Sequence, residues 1–191
     1  MKLLLIDNHD SFTYNLVQII EEWGKCRLEL VWPETLNANA IEEFDKVMIS
    51  PGPGLPDEYG YFQSLFSRIC SRIPILGVCL GHQALGVYFG AKLIHSREIF
   101  HGRFSEVQII PSPNSEKQYS GVSSPFKAGR YHSWILDSDQ FPECLEITAT
   151  TPDGVIMSFC HKNYPVHGVQ YHPESYMTPD GRRIIENWLE L

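Results

Sequence analysis

Two short runs carry residue types that do covalent chemistry. In Gly77-Val78-Cys79-Leu80-Gly81 a thiol stands between glycines two positions to either side, after an apolar run and before a helix-like stretch. Small residues at those positions permit a tight, strained strand-to-helix turn that brings a nucleophile into the open. Unpaired N–H groups at a helix start favour thiolate over thiol, and the N–H of Leu80 directly after the thiol is placed to bind an oxyanion. A thiol nucleophile needs a base held by a third group. The run Val169-Gln170-Tyr171-His172-Pro173-Glu174-Ser175 supplies one, because His172 follows an apolar strand and Glu174 reaches the imidazole if Pro173 turns the chain. The expected roles are nucleophile for Cys79, base and then acid for His172, and orienting carboxylate for Glu174. The alternative for any single cysteine is a buried structural role, and this is the reading for Cys26, Cys70, Cys144 and Cys160.

The elements that must hold these groups are legible as short apolar runs between helix-like stretches. Runs 2–6, 28–32, 46–50, 74–78 and 166–170 lack strict alternation and suit parallel strands buried on both faces. Ser11 is the expected N-cap of a first helix that ends at Gly24, with Phe12, Leu16, Ile19, Ile20 and Trp23 on one apolar face. Further helices are expected over 59–71, 81–89 and 181–191. The middle differs, with antiparallel strands expected over 103–110, 145–150 and 155–159 and a turn at Thr151-Pro152-Asp153-Gly154. Residues 111–117 read as an exposed loop. The expected architecture is α/β: an open, mostly parallel sheet flanked by helices, with a small antiparallel elaboration, in one domain over 1–191.

Composition excludes several function classes. The chain has 191 residues, 43% of them hydrophobic and 20% charged, enough for one compact core. A formal net charge of -8 argues against a nucleic-acid partner, whose phosphates are gripped by clustered Lys and Arg. No run approaches the ~18 uninterrupted apolar residues of a membrane span. Five cysteines with no C-x-x-C pair fit a reducing cytoplasm rather than a disulfide scaffold or a cysteine-rich zinc site, and no metal or cofactor is expected.

Three blocks together resemble the class I, triad-type glutamine amidotransferases: Ser50-Pro51-Gly52-Pro53-Gly54, Gly77 through Gln83, and Gly168 through Glu174. The run Asp7-Asn8-His9-Asp10-Ser11-Phe12-Thr13-Tyr14-Asn15, with Arg130-Tyr131-His132-Ser133, narrows the resemblance to glutaminase subunits of anthranilate or aminodeoxychorismate (p-aminobenzoate) synthases. The resemblance spans residues 7–175 and implies a flavodoxin-like fold. It further implies that Gly52, Pro53 and Gly54 line a glutamine site and that Gly54 N–H joins Leu80 N–H in an oxyanion hole. Gln83, Ser133 and Trp134 are then expected at the substrate's amino-acid end. The implied substrate is L-glutamine and the implied partner a chorismate-binding synthase large subunit. Trp134, where the family carries a smaller apolar residue, and His9, where the subgroup commonly carries Tyr, depart from the pattern. His101-Gly102 resembles a family element to which a structural or partner-contacting role is assigned. Asp10 and Ser11 are read as helix-capping residues, and His82 as pointing away from the nucleophile. Tyr59, Tyr61 and Phe62 are read either as part of a partner contact or as a core helix face.

Two other function classes stay open on the residues alone. A stand-alone cysteine hydrolase acting on γ-glutamyl substrates would use the same elbow. A non-catalytic binding protein on this fold would not need Cys79, His172 and Glu174 together. Nothing in the sequence decides between the anthranilate and aminodeoxychorismate pathways.

Overall fold

The computed structural model describes residues 1–37, 40–96 and 102–191. The expected parallel runs form strands β1 (Lys2–Ile6), β2 (Arg27–Val31), β3 (Lys46–Ile49), β4 (Ile75–Val78) and β11 (Val166–Val169), each within a residue or so of expectation. Between them lie helices α1 (Thr13–Trp23), α2 (Phe62–Ile69) and α3 (Leu80–Tyr88), and α5 (Gly181–Glu190) ends the chain. The parallel strands pair in the order β2-β1-β3-β4-β11, the doubly wound arrangement whose strand order reverses between β1 and β3. The sheet then continues through the antiparallel strands β10 (Ile156–His161), β9 (Leu145–Thr150), β6 (Arg103–Ile109) and β7 (Phe126–Arg130). A separate two-stranded ribbon joins β5 (Leu93–His95) to β8 (Trp134–Leu136).

The pleat sorts one strand between two cores. In β1, Leu4 and Ile6 pack with Phe62, Leu65 and Phe66 of α2 and Leu85 of α3. Leu3 and Leu5 face the other way, against Leu16 and Ile20 of α1 and Ile184, Ile185 and Trp188 of α5. Residues buried on both faces give β1, β3 and β4 no polar stripe, which is why those runs show no alternation. Strand β2 instead lies at the sheet edge with Arg27 and Glu29 exposed, which corrects the double burial expected for it. Lys46 opens β3 buried, and its Nζ donates to the carbonyls of Trp188 (2.8 Å) and Leu189 (2.9 Å) at the end of α5. A helix C-terminus has carbonyls without intrahelical partners, and the ammonium satisfies two of them.

Three local expectations need correction. Ser11 does not cap α1: it is exposed, Phe12 holds the cap position, and no side chain bonds there. The turn is instead braced by Asp7, whose Oδ1 accepts from the Asp10 N–H and the Thr13 hydroxyl, and by Asp10, which accepts from Phe12 N–H (2.8 Å). Helix α2 starts at Phe62 rather than 59, because Pro56–Glu58 forms a 3-10 turn that ends at Tyr59. Within the span expected to be loop, Pro113–Gln118 is helix α4, started by a capping box between Ser112 and Ser115 with Pro113 at its first position. Strands β5 and β8, three residues each, and β7 were not expected. Among the described residues no helix is long and apolar enough to cross a membrane.

Candidate active site

The loops that follow β1, β3, β4 and β11 meet at the carboxyl edge of the parallel strands, where open α/β sheets bind ligands. Cys79 follows β4 with φ 50° and ψ −96° and stands at the N-cap of α3. This backbone is in a region that side-chain-bearing residues rarely occupy, and it persists because its surroundings dictate it. A Cβ on Gly77 would run into the Gly81 backbone, and one on Gly81 would come within 2.9 Å of the Ile49 carbonyl oxygen. The flanking glycines therefore let the helix start fold back onto the strand ends. Parallel pairing fixes the neighbours: Val78 lies opposite Val169, and Cys79 N–H donates to Val169 C=O at 2.8 Å.

The same pairing positions His172, the residue expected to act as base. His172 is buried, and its N–H donates to Gly129 C=O (3.0 Å) while its C=O accepts from the Thr178 hydroxyl (2.7 Å). Its ring bonds Glu174 through Nδ1 and Oε1 at 2.6 Å, both side chains being almost wholly removed from solvent. A carboxylate only accepts, so Nδ1 carries a proton, and among the described residues Nε2 has no hydrogen-bond partner. Burial works against the charged ring, but the Glu174 carboxylate and then Cys79 outweigh it and hold the His172 pKa well above the usual histidine value. Phe12 and Tyr131 pack edge-on against the imidazole, with ring centres at 5.7 and 4.9 Å.

A cavity of about 320 Å³ reaches the thiol, and its walls bring together Gly52, Pro53, Gly54, Cys79, Leu80, Gln83, Ser133 and Trp134. All the expected substrate and oxyanion residues thus share one space. His172 lies outside it, in a second cleft of about 370 Å³ that also reaches Cys79, and Glu174 is buried behind the ring. Gly52 is required by close approach, since a Cβ there would sit 2.6 Å from both Asn8 and Leu80 side-chain carbons. Gly54 has φ +73°. Tyr59 donates its hydroxyl to Pro53 C=O at 2.8 Å, so the trans peptide turns Gly54 N–H to the opposite side, and among the described residues that N–H has no acceptor. Tyr61 braces the same loop by donating to Asn8 Oδ1 (2.6 Å), while Asn8 N–H donates to the Ser50 hydroxyl (2.9 Å). The three aromatics 59, 61 and 62 therefore act inside this chain: two hold the glycine loop and Phe62 joins the core.

On the far wall, Gln83 Nε2 donates to Trp134 C=O at 2.9 Å, and that oxygen also bonds His132 Nδ1 at 2.9 Å. Arg130 Nε donates to His132 Nε2 at 3.2 Å, which leaves the proton on Nδ1. Burial, with the Arg130 charge added, pushes the His132 pKa down to about 3, so the ring is a neutral brace. The Trp134 indole rests edge-on against His95, 5.1 Å between ring centres. His9, the other departure, has φ 62°, pairs with Glu34 at 2.9 Å and lies at the mouth of the second cleft. His82 is fully buried against Phe159 and away from the cavity, and His101 lies outside the described residues. Sequence reasoning gave no role to Gln170, whose Nε2 stands 3.7 Å from Cys79 Sγ. No sequence signal marked it, since its place beside Cys79 comes from the pairing of β11 with β4. Among the described residues no group of three or more His, Cys, Asp or Glu side chains is arranged to hold a metal ion.

The model of the class-I glutamine amidotransferase family matches residues 4–191. The chain is 42% identical over 193 residues to the bifunctional protein TrpGD of Thermotoga maritima, covering 100% of this chain and 32% of that protein, so it spans about a third of this relative's length. It is 40% identical over 190 residues to the aminodeoxychorismate/anthranilate synthase component 2 of Bacillus subtilis, covering 98% of this chain and 95% of that one. Among solved structures, a glutamine amidotransferase from Thermotoga maritima superposes with a TM-score of 0.78 at 20% identity, over 100% of this chain and 81% of that one, a likeness of fold. The elbow, the buried imidazole–carboxylate pair and the shared cavity thus sit in a chain that belongs to the class-I glutamine amidotransferases.

Proposed function

We propose that the chain is a glutaminase subunit that hydrolyses L-glutamine through Cys79, His172 and Glu174 and passes the ammonia to a chorismate-using synthase subunit. The observation that carries this reading is the strained Cys79 shared by two adjoining clefts, one walled by the expected substrate and oxyanion residues and the other reaching the buried His172 imidazole. Glutamine enters the cavity with its amino-acid end toward Gln83 and Ser133. Trp134 C=O already accepts two hydrogen bonds, so Gln83 meets the ligand through its free Oε1, an acceptor suited to an ammonium. The Cys79 thiolate attacks the side-chain carboxamide carbon, and the N–H groups of Leu80 and Gly54 receive the oxyanion. Collapse breaks the C–N bond as His172 gives its proton to the departing nitrogen, leaving a γ-glutamyl thioester and ammonia. Water then attacks the thioester, His172 takes a proton from it, and the C–S bond breaks to release glutamate and thiolate.

The partner assignment rests on the relatives' names, which are those of synthase components. Supply of ammonia to either an anthranilate or an aminodeoxychorismate synthase fits this chain. The test is glutamate release from glutamine by the chain together with its co-purified large subunit. Cys79→Ala should lower it by about 10³-fold or more while ammonia-dependent synthesis continues. Retained glutamate release in Cys79→Ala removes the nucleophile assignment. Brisk partner-free cleavage of γ-glutamyl peptides, with glutamine untouched, would instead identify a stand-alone hydrolase.

A further inference from the structure

Gln170 is wholly buried, and the proposed chemistry gives it no task. Its backbone is locked from both sides, because Val169 C=O accepts from Cys79 N–H (2.8 Å) and Gln170 N–H donates to Met157 C=O (2.9 Å). Its side chain runs toward the thiol. There the amide Nε2 lies 3.7 Å from Cys79 Sγ, and Oε1 accepts from Gln83 Nε2 at 3.2 Å. Gln83 Nε2 also donates to Trp134 C=O at 2.9 Å, and Gln83 N–H donates to Cys79 C=O at 3.0 Å.

The polarity of this chain is fixed at one end. An amide's oxygen and nitrogen are told apart by their partners, and a backbone carbonyl can only accept. Trp134 C=O therefore requires Gln83 to present its NH2 group. That NH2, shared with Gln170, requires Gln170 to present its oxygen. Gln170 is left with its own NH2 against the sulfur. Turning either amide over would set oxygen against oxygen or nitrogen against nitrogen in a buried space, where an unsatisfied polar group is costly.

We infer that Gln170 is a positioning residue for the nucleophile: its amide N–H holds Cys79 Sγ and favours the thiolate over the thiol, in an orientation dictated through Gln83 by the Trp134 carbonyl. A donor aimed at sulfur is strengthened when the sulfur carries charge, and the buried setting amplifies the difference. The same relay ties the wall that would meet the substrate's amino-acid end to the reacting atom. This inference rests on the assignment of Cys79 as nucleophile, though its test needs no turnover.

The experiment is alkylation of Cys79 by iodoacetamide, followed residue by residue with peptide mass mapping at pH 6 and at pH 9.5 in the intact protein. Gln170→Met keeps length and apolar volume and deletes the donor. The expected result is a rate about tenfold lower than wild type at pH 6, converging to within about twofold at pH 9.5 where thiolate no longer needs help. An equal loss at both pH values would mean altered access, and no loss would mean an idle amide; either overturns the inference. Gln83→Met is the second variant, and it carries the test if Gln170→Met does not fold. Gln83 does not touch the sulfur, yet its loss frees the Gln170 amide to turn, so a pH-selective loss of about threefold or more is expected. An unchanged profile in Gln83→Met overturns the relay. A chain that showed the pH-selective pattern but released no glutamate from glutamine would keep the relay and lose the glutaminase reading. Glutamate release with pH-independent alkylation ratios would do the reverse.

Discussion

Glu174 Oε1 accepts from His172 at 2.6 Å, and the carboxylate supports the charged ring against the cost of burial. Two effects of removing that charge can be separated. Glu174→Gln keeps the shape, loses the anion, and should lower kcat for glutamine by about 10²-fold or more, since a misoriented or uncharged imidazole neither partners the thiolate nor protonates ammonia. The sign of the pH effect follows from the cause. Glu174 raises the His172 pKa, so its loss lowers that pKa, and the alkaline limb of kcat/KM must move to lower pH. A limb that stays in place or moves up would show that another group controls it. At this scale the sequence was informative where chemistry demands a rare pattern: a cysteine between spaced glycines, and His-Pro-Glu after an apolar strand. It gave Gln170 no role, and it did not show that Tyr59 braces the glycine loop or that Arg130 and His132 brace each other. These act through neighbours distant in sequence, and a glutamine, a tyrosine or an arginine alone carries no spacing that marks it out.

The elbow shows how an element constrains a residue. Gly77 lies in the middle of β4, where glycine ordinarily weakens a strand, yet a side chain there would collide with the main chain of Gly81. Overpacking against movable side chains costs about 1–3 kcal/mol. The obstacle here is backbone, so Gly77→Ala should lose about 3 kcal/mol or more of unfolding free energy in urea. A value within about 0.5 kcal/mol of wild type would mean that the turn between β4 and α3 can relax, and the close approach would cease to explain the glycine. Elements with an apolar signature were read well: β1, β9 and α3 lie within a residue of expectation. Helix α4 was not, because its PNSEKQ sequence has no apolar period and its Ser112–Ser115 capping box was hidden among turn-forming residues. Strands β5 and β8 were missed for another reason, since each is three residues long and they exist by pairing with one another.

Across the whole molecule, the strand order brings four loops, after β1, β3, β4 and β11, to one edge, and it also buries histidines that take no part in the proposed chemistry. Burial pushes the pKa of His82 and of His132 down to about 3, the latter helped by Arg130, and that of His167 to about 4, helped by Lys46. A depressed folded-state pKa means that the unfolded chain binds more protons below the ordinary value of about 6.5, so stability falls as pH drops. Each such ring contributes up to about 1.4 kcal/mol per pH unit in that window. His172, whose pKa is raised, is protonated in both states below about 6.5 and adds no slope there. The thermal midpoint should therefore fall by about 10 °C between pH 6.5 and 5, before carboxylates begin to titrate. A midpoint that is flat or rises over that interval would contradict the buried neutral rings.

The sequence by itself carried the residue patterns of the proposed chemistry and the kind of scaffold. Nucleophile, base, orienting acid and glycine loop are local patterns, and doubly buried parallel strands are recognisable as unbroken apolar runs. Only the tertiary structure decided which groups surround the sulfur. The parallel register of β4 and β11 sets Gln170 beside Cys79, and a carbonyl on the ribbon strand β8 fixes which way two amides point. The physical reason is that hydrogen-bond polarity and close backbone approach belong to pairs of residues far apart in the chain. Pattern along one chain records which residues are present and how they are spaced. What each of them faces is settled by pairing between strands.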